Sequence, residues 1–107
     1  MNIQLAENET IIKEGPANHF VGMESVGGKL YLTNQRLFFK SHALNVQVHE
    51  ASYRLDEIVS MKPRNTLGII PNGMGVLLKS GQEERFVVYR RQDWMAKVTQ
   101  AQAAYRP

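Results

Sequence analysis

The chain is 107 residues long, with 43% hydrophobic and 8% aromatic residues; that length suits one domain, residues 1–107, and the composition supplies a core without covalent staples. Lys plus Arg number 13 against 10 Asp plus Glu, a formal net charge of +3, too mild a surplus to imply nucleic acid as a partner. The lack of cysteine excludes disulfide scaffolds, thiol nucleophiles and thiolate zinc sites, and no apolar run reaches the roughly 18 residues of a membrane span.

Met1 to Thr10 carries Gln4, Glu7, Asn8 and Glu9 where an export signal needs a basic start and a continuous apolar run. A cytoplasmic protein is therefore expected. From there the punctuation recurs about every ten residues, at Gly15-Pro16, Gly27-Gly28, Asn34, Pro63, Pro71-Asn72-Gly73 and Ser80-Gly81, the rhythm of short antiparallel strands. Leu30 and Leu32 alternate with Lys29, Tyr31 and Thr33, and Leu37 and Phe39 alternate with Arg36, Phe38 and Lys40, as in two half-buried strands. Only Asn34 and Gln35 separate them, which predicts a tight hairpin. Gly75 to Lys79 and Arg85 to Tyr89 predict a second hairpin around residues 80–84, with Phe86 and Val88 on one face. After Tyr89 the period changes: Trp94, Val98, Ala101 and Tyr105 fall at helical steps, so one C-terminal helix follows the strands. Trp94 is its main anchor, and Asp93 suits the positive end of its dipole.

A screen for catalytic chemistry finds little. Gly68 to Gly73 has the outer spacing of a phosphate loop, but Met74 and Gly75 stand where Lys and Ser or Thr are needed. Ser25, within Gly22 to Gly27, misses the register that presents a nucleophile. His19, His42 and His49 lack a metal-binding pattern and read as surface residues, with a loop between His42 and His49. Asp56-Glu57 and Glu83-Glu84 are sequence neighbours that read as solvated turn residues rather than acid/base pairs. No catalytic residue, cofactor or metal site is predicted.

The block Gly27-Gly28-Lys29-Leu30-Tyr31-Leu32-Thr33-Asn34-Gln35-Arg36-Leu37-Phe38-Phe39-Lys40 resembles the Gly-x-Leu-x-(Leu/Val)-Thr-Asn-x-Arg-Leu-x-Phe signature of the GRAM domain. Leu55-Asp56-Glu57-Ile58-Val59 and the late Trp94 are similar to further features of that family, so the resemblance covers nearly the whole chain. It implies a pleckstrin-homology-like fold: mainly β, with about seven antiparallel strands in a barrel or orthogonal sandwich capped by the C-terminal helix. An oligonucleotide-binding barrel is the alternative fold. The resemblance also implies a non-catalytic binding module, because the family is associated with lipid recognition, phosphoinositides included, and with protein contacts. With Met1 at its head, the chain resembles small stand-alone bacterial members.

The lipid-binding pattern of pleckstrin-like domains is incomplete here: the second strand reads Lys29-Leu30-Tyr31, and two relevant loops carry Glu24, Glu83 and Glu84 instead of bases. What remains is a basic edge of Lys29, Arg36 and Lys40, within a stretch from Ser25 to His49 that holds no carboxylate. Three such charges supply about 3 kcal/mol near an anionic membrane, against roughly 8 kcal/mol for micromolar binding. A second candidate surface is the segment Asn65 to Gly73, where Leu67, Ile69 and Ile70 sit among turn formers with Lys62 and Arg64 just before them. Loops are normally polar, so this cluster predicts contact with a partner. The leading expectation is a protein-protein adaptor or self-association domain. Peripheral binding to anionic lipid headgroups is the alternative, and an uncharacterised enzyme the third.

Overall fold

The computed structural model describes residues 3–42 and 49–107; positions 43–48, where a loop is expected, lie outside the described residues. Seven strands run in chain order: β1 (Ile11–Val21), β2 (Glu24–Thr33), β3 (Arg36–Ser41), β4 (Glu50–Arg54), β5 (Ile58–Thr66), β6 (Ile70–Leu78) and β7 (Glu83–Val88). A short 3-10 turn, Leu55–Glu57, links β4 to β5, and helix α1 (Arg91–Ala104) closes the chain. All pairings are antiparallel, in the order β4-β3-β2-β1-β7-β6-β5. The sheet curls into a half-barrel, with β4 and β5 as its edges.

The alternation read from the sequence sets the inner face. Leu30 and Leu32, Leu37 and Phe39, Met74 and Val76, and Phe86 and Val88 all point into one core cluster, since alternate residues of a strand share a face. Trp94, Val98 and Ala101 of α1 complete that cluster, and Tyr105 packs against it from just beyond the helix. The helix thus plugs one end of the half-barrel. Its far end is tied down where the Gln102 side-chain amide donates to the carbonyls of Leu55 and Ile58, at 3.2 and 2.9 Å. Its first turn is held by Asp93, which accepts from Lys13 and Lys97 at 2.8 Å each. These two cations hold its carboxyl at about 2, below the ordinary carboxylate range.

Several expected strand breaks lie inside strands. Gly15-Pro16 falls within β1 and Pro71 within β6. Proline is tolerated where one side of a strand is unpaired, and β7 covers β1 only from Ala17 to His19 and reaches β6 only from Gly73. Pro63 lies on edge strand β5. Gly28, also read as a break, is needed for close approach inside β2: a Cβ there would lie 2.3 Å from the carbonyl oxygen of Lys40 on β3.

The second face of the β2–β3 hairpin differs from the half-buried strands expected. Tyr31, Thr33 and Phe38 are buried. The Arg36 guanidinium lies 4.8 Å over the Phe38 ring and the Lys29 ammonium 5.6 Å from that of Tyr31, so their stems help to cover apolar surface. The N-terminal segment is laced to the same hairpin. Asn34 donates to the carbonyl of Asn8 and accepts from the amide of Thr10, and Gln35 donates to the carbonyl of Glu7.

Candidate functional site

The β5–β6 hairpin ends in an apolar tip. Leu67 and Ile69 are 85% and 78% exposed, and Ile70, the first residue of β6, is 44% exposed. Leu67 also adopts φ 54°, in the left-handed region, which costs a branched side chain energy that glycine or asparagine avoids. The base of the tip is firm. Arg91 from the start of α1 donates to the carbonyls of Arg64 and Gly73 at 2.8 and 3.2 Å, and the Thr66 hydroxyl donates to the Asn72 side chain.

Beside this tip lies the β1–β2 turn, where Val21 is 43% exposed and Met23 fully so. A cleft of about 390 Å³ between the two is lined by residues that include Phe20, Gly22, Arg64, Leu67 and Arg85. The apolar surface therefore has two lobes. The second was missed in the sequence, although Val21 and Met23 flank a turn glycine in the same manner as Leu67 and Ile69.

The basic residues are largely engaged within the fold. Lys29 pairs with Glu14 at 2.7 Å, Arg36 with Glu9 at 2.8 Å and Lys40 with Glu50 at 3.7 Å. Arg64 makes two parallel bonds of 2.7 Å to Glu83, which hold that carboxyl below its ordinary range. Lys62 is exposed and forms no ion pair among the described residues. The stretch around the β2–β3 hairpin lacks carboxylates of its own, but neighbouring strands bring them: Lys40 is the register partner of Glu50. The edge positive in sequence is therefore largely neutralised in space.

The open end of the half-barrel holds a polar cluster that the sequence did not signal. His19 on β1 and His49, just ahead of β4, were read as surface residues, yet His19 is 2% exposed and His49 half-buried. His42 is exposed, as expected. The His19 ring donates from Nε2 to Glu84 Oε1 at 2.7 Å, and its Nδ1 lies 2.9 Å from Nε2 of His49. Glu83 and Glu84, read as solvated, are thus both partnered. The Tyr53 hydroxyl and the Gln82 amide also bond Glu84. Burial pushes the Tyr53 phenol up, and the Glu84 charge adds to the shift. These residues line a cavity of about 350 Å³. Their nitrogens and oxygens face one another rather than a common centre, and no group of three metal-ligating side chains is placed to hold an ion among the described residues.

The fold has clear relatives among solved structures. The N-terminal PH domain of Vps36 superposes with a TM-score of 0.74 at 15% identity, covering 94% of this chain and 84% of that one. The C-terminal domain of an unknown protein from Leishmania infantum gives 0.72 at 21% identity, covering 87% and 84%. The hSac2 domain from the human phosphoinositide phosphatase Sac2 gives 0.70 at 16% identity, covering 94% and 74%. A search of curated proteins gives no match. The family model described as GRAM domain matches residues 1–104. A pleckstrin-type half-barrel plugged by one helix, carrying the hairpin block from Gly27 to Lys40, thus meets a family match over nearly its whole length: the chain belongs to the GRAM domain family.

Proposed function

We propose that this chain is a non-catalytic docking module that binds an apolar protein surface, including that of a second copy, through the β5–β6 tip. The observation that carries this reading is Leu67: a large aliphatic side chain, 85% exposed and held at φ 54°. Such a residue weakens the isolated fold, and strain of this kind persists where it serves a function. Burying Leu67 and Ile69 against a partner contributes about 1.5 to 3 kcal/mol each. Lys62, beside the tip, supplies a polar rim. The engagement of Lys29, Arg36, Lys40 and Arg64 by carboxylates argues against a contact held mainly by charge on an anionic membrane. Membership of a family of binding modules supports a role without catalysis.

Leu67→Asn combined with Ile69→Ser tests the reading. Light scattering of the wild type is expected to show a mass that rises with concentration and is insensitive to salt, with the double variant remaining monomeric. The denaturant midpoint of the variant should match or exceed that of the wild type, by up to about 1 kcal/mol, because asparagine accepts the left-handed conformation. Loss of folding would place these side chains in the core. Salt-sensitive sedimentation of the wild type with anionic vesicles, without self-association, would replace the protein surface by a lipid one.

A further inference from the structure

The docking surface makes no use of the ionisable cluster at the open end of the half-barrel. We propose that His19, His49 and Glu84 form an acid-sensitive clasp: one proton shared between the two imidazoles ties the start of β4 to β1 and β7, and protonation of both rings releases it. The argument is a count of protons. Glu84 as a carboxylate only accepts, so the 2.7 Å bond requires a proton on His19 Nε2. The 2.9 Å contact between His19 Nδ1 and His49 Nε2 has room for one proton. If His19 is neutral, His49 donates; if His19 is an imidazolium, it donates and His49 accepts. Either arrangement is closed. When both rings are cationic, N–H faces N–H, and the contact becomes repulsive.

The surroundings decide which ring moves. From β7, Phe86 stacks on His19 at 4.5 Å, and from β3, Phe39 tilts against it at 5.4 Å. His19 is therefore fixed in the core. Glu84 already takes bonds from His19, Tyr53 of β4 and Gln82, so it offers little to a second cation. The other charged groups lining the cavity, Glu83 and Arg85, are ion-paired to each other at 3.5 Å, and Glu83 to Arg64 as well. His49 is half-buried, and its amide donates to Ser41 Oγ at 2.7 Å. It leads into β4, an edge strand that pairs only with β3. The yielding element is thus the start of β4.

Burial, more than the opposing pull of Glu84, holds His19 below its ordinary value of 6.5. The unfolded chain therefore takes up a proton at His19 at higher pH than the folded one. The contribution of the clasp is complete above about pH 6.5 and is lost as pH falls below it.

Amide hydrogen exchange at about pH 7.5 and about pH 5.5, corrected for intrinsic rates, tests the clasp on the whole chain. The opening constants of the β4 amides are expected to rise as pH falls below about 6.5, up to tenfold per pH unit for each proton that opening takes up, while those of the central β1–β2 pairing stay flat. His49→Gln keeps a side-chain donor for His19 but cannot take up the proton, and should abolish the rise. His42→Gln, outside the cluster, should respond like the wild type. A rise that persists in His49→Gln, or is shared by every strand, would overturn the proposal. Should His49→Gln not fold, ring proton and nitrogen chemical shifts of the wild type followed by NMR against pH decide: the clasp requires the two rings to respond together, and two rings that respond independently would refute it. None of these residues belongs to the apolar tip, so this result is independent of the docking test.

Discussion

Trp94→Ala should destabilise the protein by about 3 to 5 kcal/mol, the range for truncating a large buried aromatic. Trp94 is 2% exposed and joins α1 to residues from both halves of the sheet in one core cluster. It also packs close to Gly15: a Cβ on that glycine would sit 3.7 Å from the indole. Lys13 lies 5.0 Å over the indole while bonding Asp93, so the cation is shared between the ring and the first turn of the helix. Because the indole is the heaviest part of the plug, its loss leaves a cavity that the curled sheet cannot close by a small shift. A domain of this length has roughly 5 to 15 kcal/mol in all, so the variant should unfold at a much lower denaturant concentration. A midpoint unchanged from the wild type would show that the plug is not held by this side chain.

The second large effect is expected at Glu9, whose side chain is 0% exposed. Its carboxylate accepts from the Thr33 hydroxyl at 2.6 Å, from Arg36 at 2.8 Å and from the amide of Ala6 at 2.8 Å. Arg36 in turn donates to the carbonyl of Gln4 at 2.7 Å. Removing Glu9 leaves a guanidinium over the Phe38 ring with its main partner gone. Arg36 is 24% exposed, so water recovers part of the loss, and Glu9→Ala should cost about 2 to 3 kcal/mol, short of the figure for a fully buried pair.

Burial pushes the Glu9 carboxyl up, but the bonds from Arg36, Thr33 and Ala6, with the Arg36 charge, outweigh it and hold the group below its ordinary 4.5. The folded chain therefore gives up this proton more readily than the unfolded one. The stabilisation is fully present above about pH 4.5 and is lost as pH falls through the lowered value. The gap in denaturation midpoint between wild type and Glu9→Ala should be narrower at about pH 3.5 than at about pH 7. An equal gap at both values would mean that the charge of Glu9 contributes nothing. This window lies below that of the histidine clasp, so the two acid responses separate on one pH axis.

Much of the fold was legible because it depends on local periodicity. The turn at Asn34-Gln35, the inward set Leu30, Leu32, Leu37 and Phe39, and the helical stripe of Trp94, Val98 and Ala101 stand in the structure as their spacing predicts. Strand and helix periods are properties of successive residues, and burial of one face follows directly from them. The apolar tip was legible for a related reason. Leu67 and Ile69 break the usual polarity of a turn, and they are exposed there, while Ile70 belongs to the first position of β6.

What only the tertiary structure decided concerns groups far apart in the chain. Arg36 was read as a free base on a positive edge, but Glu9 reaches it across 27 positions, and Lys29 and Lys40 are likewise paired across strands. His19 and Glu84 are separated by 65 positions and His19 and His49 by 30, yet they share one part-buried chain of bonds. Strands that tolerate Pro16, Pro63 and Pro71 required knowledge of which edges remain unpaired. A charge or a ring is legible by itself only in its residue type; its partner, its burial and hence its protonation are set by register and by the curl of the sheet. The sequence by itself therefore determined the β2–β3 hairpin, the helix and the apolar tip, and the curled sheet determined the full run of the strands, which charges are engaged inside the fold and which proton-sensitive groups meet at its open end.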